Sequence, residues 1–191
     1  MGRPRNFEAD DVVDRAMEAF WTHGYSNTSP ADLCAATGIG KGSLYNTFGS
    51  KRELFALALA RYDRMGRELA EEFLAQPGST REIIGGMLRN LVDTDLAQQV
   101  RRGCLVVNTT TELAAHDAEI ARALHMAMQG VLVALRTRIE QGVREGDIRA
   151  DIDPQATAEF FMNTISGLRL MAKTCDAPVL HRIIDTALTT L

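Results

Sequence analysis

Cysteine is too scarce here to serve as a scaffold. Cys34, Cys104 and Cys175 are the only three in 191 residues, far apart and odd in number, so no disulfide framework is expected. Aromatic residues amount to only 6%, while helix formers such as Ala, Leu, Glu and Arg dominate. No apolar run approaches the ~20 residues that a bilayer-spanning helix requires, so no membrane partner is expected. Met1-Gly2-Arg3-Pro4-Arg5 lacks the apolar core of a signal peptide, and a cytoplasmic location is expected. His23, His116, His125 and His181 have no metal-ligand spacing. A Walker loop, a Gly-x-Gly-x-x-Gly turn and a Ser-His-Asp arrangement are all missing. No metal, cofactor or catalytic role is therefore expected. What remains is 46% hydrophobic and 24% charged, enough for a sizeable core, with no internal repeat or low-complexity segment.

Excess positive charge is also lacking, since the net charge is −4. The distribution matters more than the sum. Arg3 and Arg5 stand on a terminal arm without acids, and residues 25–52 carry Lys41, Lys51 and Arg52 against Asp32 alone. Between them, Glu8, Asp10, Asp11, Asp14 and Glu18 face only Arg15. A small basic face on an acidic body can bind DNA locally. The arm has the composition to reach a phosphate or the minor groove.

Residues 28–48 organise that face. Thr28 and Ser29 are capping residues, Pro30 suits a first helical turn, and Gly38 suits the left-handed end of a short helix. A second short helix is expected from about Gly40 to Phe48. Leu33, Ile39, Leu44 and Phe48 can face inward together, which turns Gly42, Ser43, Tyr45 and Asn46 outward. A helix this short needs a core beneath it. Its acid-free outer face suits a polyanion, as in a helix-turn-helix.

The rest of the chain reads as further helices. An apolar stripe of Val13, Ala16, Met17, Phe20 and Gly24 marks a first helix over 8–23. Ser50 with Glu53 reads as a capping box opening a helix over 51–75, with the stripe Leu54, Ala58, Tyr62, Met65, Leu69 and Phe73. At ~1.5 Å per residue it spans roughly 35 Å and can connect two domains. Lys51 lies in its first turn, where a phosphate can sit. Helices are expected over 80–99, 104–115, 118–145, 154–173 and 177–191. Leu105-Val106-Val107 and Thr109-Thr110-Thr111 are poor helix formers, so 104–115 is also compatible with a strand, though one without a partner in the chain. Residues 160–172 are apolar nearly all round, and the last helix is strongly apolar too. One fold cannot easily hide both, so a second subunit is expected to cover them.

One pattern combines these signals: Phe20-x-x-x-Gly24-Tyr25, then Thr28-Ser29, then Gly38-Ile39-x-Lys41-Gly42-Ser43-Leu44-Tyr45-x-x-Phe48-x-Ser50-Lys51-x-x-Leu54. It closely resembles the N-terminal domain of TetR/AcrR-type transcriptional regulators, over roughly residues 7–60. The resemblance implies an all-α fold of about nine helices. Residues 1–52 would form a three-helix DNA-binding domain, the helix over 51–75 a connector, and 53–191 a ligand-binding and dimerisation domain. It implies a ligand-responsive regulator that binds a palindromic double-stranded operator as a homodimer, most simply a repressor released by a small apolar or electrophilic effector. Thr28, Lys41, Gly42, Ser43, Tyr45, Asn46, Thr47 and Lys51 occupy positions that meet DNA in that family. The last two helices imply the dimer interface, with Phe160, Thr164, Gly167, Leu168, Leu180, Ile183, Ile184, Ala187 and Leu191 as its expected residues. Gly40 departs from the pattern, because Ser or Thr usually caps the recognition helix there. Such a change costs only a few tenths of a kcal/mol.

For the effector, Met87, Asn108, Met128, Phe161, Met162 and Ile165 lie on the middle helices, and methionine adapts to irregular guests. Cys104 follows Arg101-Arg102-Gly103 at the start of a helix. Cations and a helix N-terminus favour a reactive thiolate, so a thiol-based sensor of oxidants or electrophiles is an alternative reading. Gly-Cys-Leu there also resembles a branch of the family that senses such compounds. The competing classes are an enzyme on a helical scaffold and an architectural DNA-binding module without operator preference.

Overall fold

The computed structural model describes residues 9–191. Among these residues the chain is all-helical: α1 (Ala9–His23), α2 (Pro30–Thr37), α3 (Lys41–Phe48), α4 (Lys51–Leu74), α5 (Thr80–Ala97), α6 (Leu105–Leu113), α7 (Ala118–Glu145), α8 (Pro154–Met171) and α9 (Ala177–Leu188). Arg3 and Arg5 lie outside the described residues.

Local chemistry sets most of the helix starts. Ser50 accepts the Glu53 N–H at 3.1 Å. Asp117 accepts those of Glu119 and Ile120 at 3.1 and 3.0 Å, and Asp153 accepts those of Gln155 and Ala156. Ser79 and Glu82 form a capping box at the start of α5. The β-branched segment is helix α6, so the strand alternative falls. The hydroxyls of Thr110 and Thr111 return to carbonyls one turn back, and Leu105, Val106 and Thr109 are buried. Tertiary packing therefore overrides a weak propensity.

Two apolar clusters hold the helices. The first gathers Val12, Ala16, Phe20, Leu33, Leu44 and Phe48 of α1–α3. It continues into α4 as far as Tyr62, and takes in Leu105 and Val106 of α6 and Ile120 and Leu124 of α7. The second joins the end of α4 to α5, α7, α8 and α9 through residues such as Leu74, Leu88, Leu135, Phe161 and Ile184. Helix α4 thus belongs to both. Its stripe is less regular than the spacing predicts: Met65 and Leu69 are 46% and 50% exposed, while Phe55, Leu59, Ala70 and Leu74 are buried. One side of α4 meets α1 and another meets α5 and α7, so its buried face rotates along its length.

Two expectations are corrected here. Helix α7 is long and apolar enough, by length and composition alone, to cross a membrane. Its charged residues flank an uncharged stretch over 123–135. In this fold it packs against α4, α6 and α8. The second correction concerns the expected dimer residues. Leu168, Leu180, Ile184 and Leu191 are turned into the chain's own core and are at most 4% exposed. Residues 180, 184, 187 and 191 form one helical stripe, and that stripe faces α5 and α8. The neighbouring stripe is left outward. Phe160 is 41% exposed, Gly167 and Ile183 are half-buried, and Thr164 and Ala187 lie at the border. Together with Met171 and Val179 they line a groove between α8 and α9.

Candidate functional site

The pair α2–α3 is assembled by short-range chemistry. Ser29 caps α2: its N–H donates to Asp32 Oδ2 at 2.8 Å, and its Oγ accepts the Asp32 N–H at 3.2 Å. These Ser29 bonds hold the Asp32 carboxyl below its ordinary range. Gly38 closes α2 with φ +74°, in the left-handed region where a side chain would be strained. Gly40 begins α3 with an extended backbone and no side-chain cap, as its sequence requires. Leu44 and Phe48 are buried under α3, which leaves Lys41, Gly42, Ser43 and Asn46 exposed and Tyr45 and Thr47 half-buried. Lys51 lies beside this face with its Nζ 4.3 Å above the Tyr25 ring.

Thr28 does not join this surface. It is fully buried, and its hydroxyl donates to the Gly24 carbonyl at 2.6 Å. The expectation that it meets DNA is corrected, because a buried, committed hydroxyl ties the end of α1 to the start of α2 instead.

What fixes this head to the rest of the molecule was not legible in the sequence. Glu112 on α6 accepts the N–H groups of Tyr25 and Ser26, at 3.0 and 2.6 Å, in the turn between α1 and α2. Burial works to raise its carboxyl, but these bonds and nearby Lys51 outweigh burial and hold it below the ordinary value. Trp21 donates to the Gly103 carbonyl at 2.8 Å, while the Arg102 guanidinium lies 3.9 Å above the Trp21 ring and pairs with Glu18. Arg52 at the start of α4 binds Asp117 and Glu119 at the start of α7. Partners more than 60 residues apart leave no local signature, and only the fold brings them together.

Behind α6 lies a cavity of about 130 Å³ whose wall is mostly apolar. Met87, Cys104, Met128, Met162 and Ile165 all line it. Phe161 and Asn108 do not, against expectation. Successive residues on α8 diverge by about 100°, so Met162, Ile165 and Arg169 face the cavity while Phe161 is wholly buried in the core. Asn108 donates to the Arg102 carbonyl at 2.9 Å and accepts from Lys173 at 3.0 Å.

The polar wall residues Tyr62 and Arg169 were missed, Tyr62 because it reads as one more residue of an apolar stripe. Burial pushes the Tyr62 phenol far above its ordinary value. Arg169 makes a two-pronged contact to Asp95, at 3.0 and 2.9 Å, and a longer bond to the Gly103 carbonyl. Burial opposes its charge, but Tyr62, Cys104 and Asp95 outweigh burial and raise it further. The loop 101–104 is therefore shared: Gly103 accepts from Trp21 of the head and from Arg169 of the cavity wall.

Comparison with known proteins agrees with this geometry. The family model described as bacterial regulatory proteins, tetR family, matches residues 12–58, and the tetracyclin repressor-like, C-terminal domain matches 82–187. The uncharacterized HTH-type transcriptional regulator YezE of Bacillus subtilis is 31% identical, with all of both chains covered. The HTH-type transcriptional repressor ComR of Escherichia coli is 30% identical over all of this chain and 90% of its own. Among solved structures, a cysteine mutant of the TetR family transcriptional regulator CifR, complexed with 26-base-pair operator DNA, is 33% identical with a TM-score of 0.87 and covers 98% of each chain.

Proposed function

This chain belongs to the TetR family of bacterial transcriptional regulators, and from that premise we propose that it is a cytoplasmic repressor that binds a two-fold symmetric operator as a homodimer and is released when a small apolar effector fills the cavity behind α6. Residues 9–52 act as the reading head and α4 as the connector. Lys41, Gly42, Ser43, Tyr45, Asn46 and Thr47 on α3, with Lys51, meet the DNA. The α8–α9 groove pairs with its copy. The observation that carries this reading is the shared loop, because Gly103 is bonded both to the head and to the cavity wall. A guest that moves α6 pulls on the turn before α2 through Glu112, and on α1 through Trp21. Two heads fit successive major grooves only when ~34–36 Å apart. A tilt of each head spoils that spacing, and a ~100-fold loss of affinity requires only about 2.7 kcal/mol of coupling.

The test is selection of bound sequences from a random DNA pool by the purified full chain. Two inverted half-sites about one helical turn apart are expected, as is a strong fall of affinity with salt. Recovery of unrelated sequences with equal affinity would instead indicate the architectural module, and turnover of a cavity ligand would indicate an enzyme.

A second reading is favoured by one contact: Cys104 lines the cavity, half-buried, as the first residue before α6. Arg101 and Arg102 are engaged elsewhere, with Cys175 and Asp176 and with Glu18 and Trp21. The guanidinium that shares the cavity wall with the thiol is that of Arg169. In this reading the sulfur adds to an unsaturated carbon of a quinone, the proton passes to the reduced ring, and nothing leaves. Treatment with 1,4-benzoquinone is expected to weaken operator binding of the wild type at least about tenfold, a coupling in the usual allosteric range, and to leave Cys104→Ser unchanged. Equal loss in both proteins would remove the thiol from the mechanism.

A further inference from the structure

Tyr62 is 9% exposed, lines the cavity, and has a hydroxyl without a hydrogen-bond partner among the described residues. Buried polar groups are rarely left so, because an unmade bond costs more than a made one gains. We propose that the cavity takes an uncharged ligand the size of one six-membered ring, carrying one acceptor oxygen such as a ketone, which receives the Tyr62 O–H. The proposal rests on the effector reading of this cavity and names the chemistry of the guest.

Three observations set that chemistry. The first is polarity. The Tyr62 oxygen lies near the Cys104 side chain and the Leu105 backbone at the start of α6, with neither in hydrogen-bond geometry, and Arg169 shares the same wall. A helix start and a guanidinium both favour a lone pair turned toward them, which leaves the phenol's proton for the cavity, so the matching group is an acceptor.

The second is net charge. Arg169 is already matched by Asp95, whose side chain is only 2% exposed, so no unpaired cation awaits an anion. Asp63, also in the wall, would repel one. A cationic guest would instead meet Arg169 and the positive end of α6. A neutral guest avoids both costs. The third is size. A protein cavity of about 150 Å³ holds benzene, and this one measures about 130 Å³.

The probes are acetophenone, ethylbenzene, which has a similar shape without the acceptor, and sodium benzoate. Calorimetric titration gives their affinities for the full chain. The fluorescence of Trp21, the chain's single tryptophan, reports the site, since its ring packs edge-on to Tyr62 at 4.9 Å. The wild type is expected to bind acetophenone about fivefold tighter than ethylbenzene, the gain of one hydrogen bond, and benzoate weakest. Tyr62→Phe keeps the ring and is expected to erase the acetophenone preference without weakening ethylbenzene. Equal affinity for acetophenone and ethylbenzene in the wild type, or a preference that persists in Tyr62→Phe, would overturn the donor role. Tightest binding of benzoate would overturn the neutral class, and failure of all three to bind would overturn size and class together. Acetophenone binding that depends on Tyr62 but leaves operator affinity unchanged would support the assignment and overturn the effector reading beneath it.

Discussion

Asp95→Ala is expected to be strongly destabilising, by about 3 kcal/mol in urea unfolding at fixed protein concentration. Asp95 is all but inaccessible and takes both prongs of Arg169, so its loss strands a guanidinium that is itself only 16% exposed. Breaking a buried pair from one side costs roughly 3–5 kcal/mol, because the remaining charge is neither hydrated nor matched. The lower end applies here, since Arg169 keeps its bond to the Gly103 carbonyl. Replacing both partners by apolar residues of similar volume, Asp95→Leu with Arg169→Met, should recover most of the loss, as removing a whole buried pair is often near neutral. A single-variant cost below about 1 kcal/mol would show that the pair is not an isolated buried charge couple. There is also a binding readout. The stranded guanidinium lines the cavity, so Asp95→Ala should reverse the ranking of the ring probes and favour benzoate.

The second large effect concerns assembly. If the chain pairs through the α8–α9 groove as proposed, Ile183→Glu is expected to elute as a monomer in size-exclusion chromatography where the wild type elutes as a dimer, and to weaken operator binding at least about 100-fold, with helix content unchanged. Ile183 is half-buried on the outward stripe of α9, in the groove shared with Phe160, Met171 and Val179. A carboxylate there remains hydrated in the monomer but must be stripped of water in a packed interface. Two linked heads gain roughly 10²–10⁴ in affinity over one, because the second binding event is intramolecular. A monomer that retained operator affinity, or a dimer that tolerated the charge, would place the interface elsewhere. As a control, Ile184→Glu lies one residue on but faces the chain's own core, where it is wholly buried, so it should unfold the protein rather than dissociate it.

Much of this design was readable from short-range pattern. Gly38, Gly40 and the spacing of Leu33, Leu44 and Phe48 dictate two short helices with an acid-free outer face, because turn chemistry and helical periodicity act within a few residues. The cap at Ser50 falls where the sequence places it. The misreadings share a cause. Thr28 and Leu168 were expected from the family resemblance and Phe161 from its place on a middle helix, and neither basis says which way a residue faces, because that depends on what packs against it. The crowded apolar faces of α8 and α9 signalled that something must cover them, but not which stripe the chain covers by itself.

By itself, then, the sequence determined an all-helical chain with a helix-turn-helix head on a long connector, since caps, glycine conformation and periodicity are local properties, and its motif resembled that of a family of regulators. The tertiary structure decided how head and cavity are joined. Glu112 reaches the turn before α2, Gly103 is shared between Trp21 and Arg169, and Tyr62 is left in the cavity wall with a proton and no acceptor. Each of these depends on groups brought within about 3 Å of one another, or kept apart, by helices distant in the chain. A hydrogen bond needs that proximity and direction, and no local pattern encodes either.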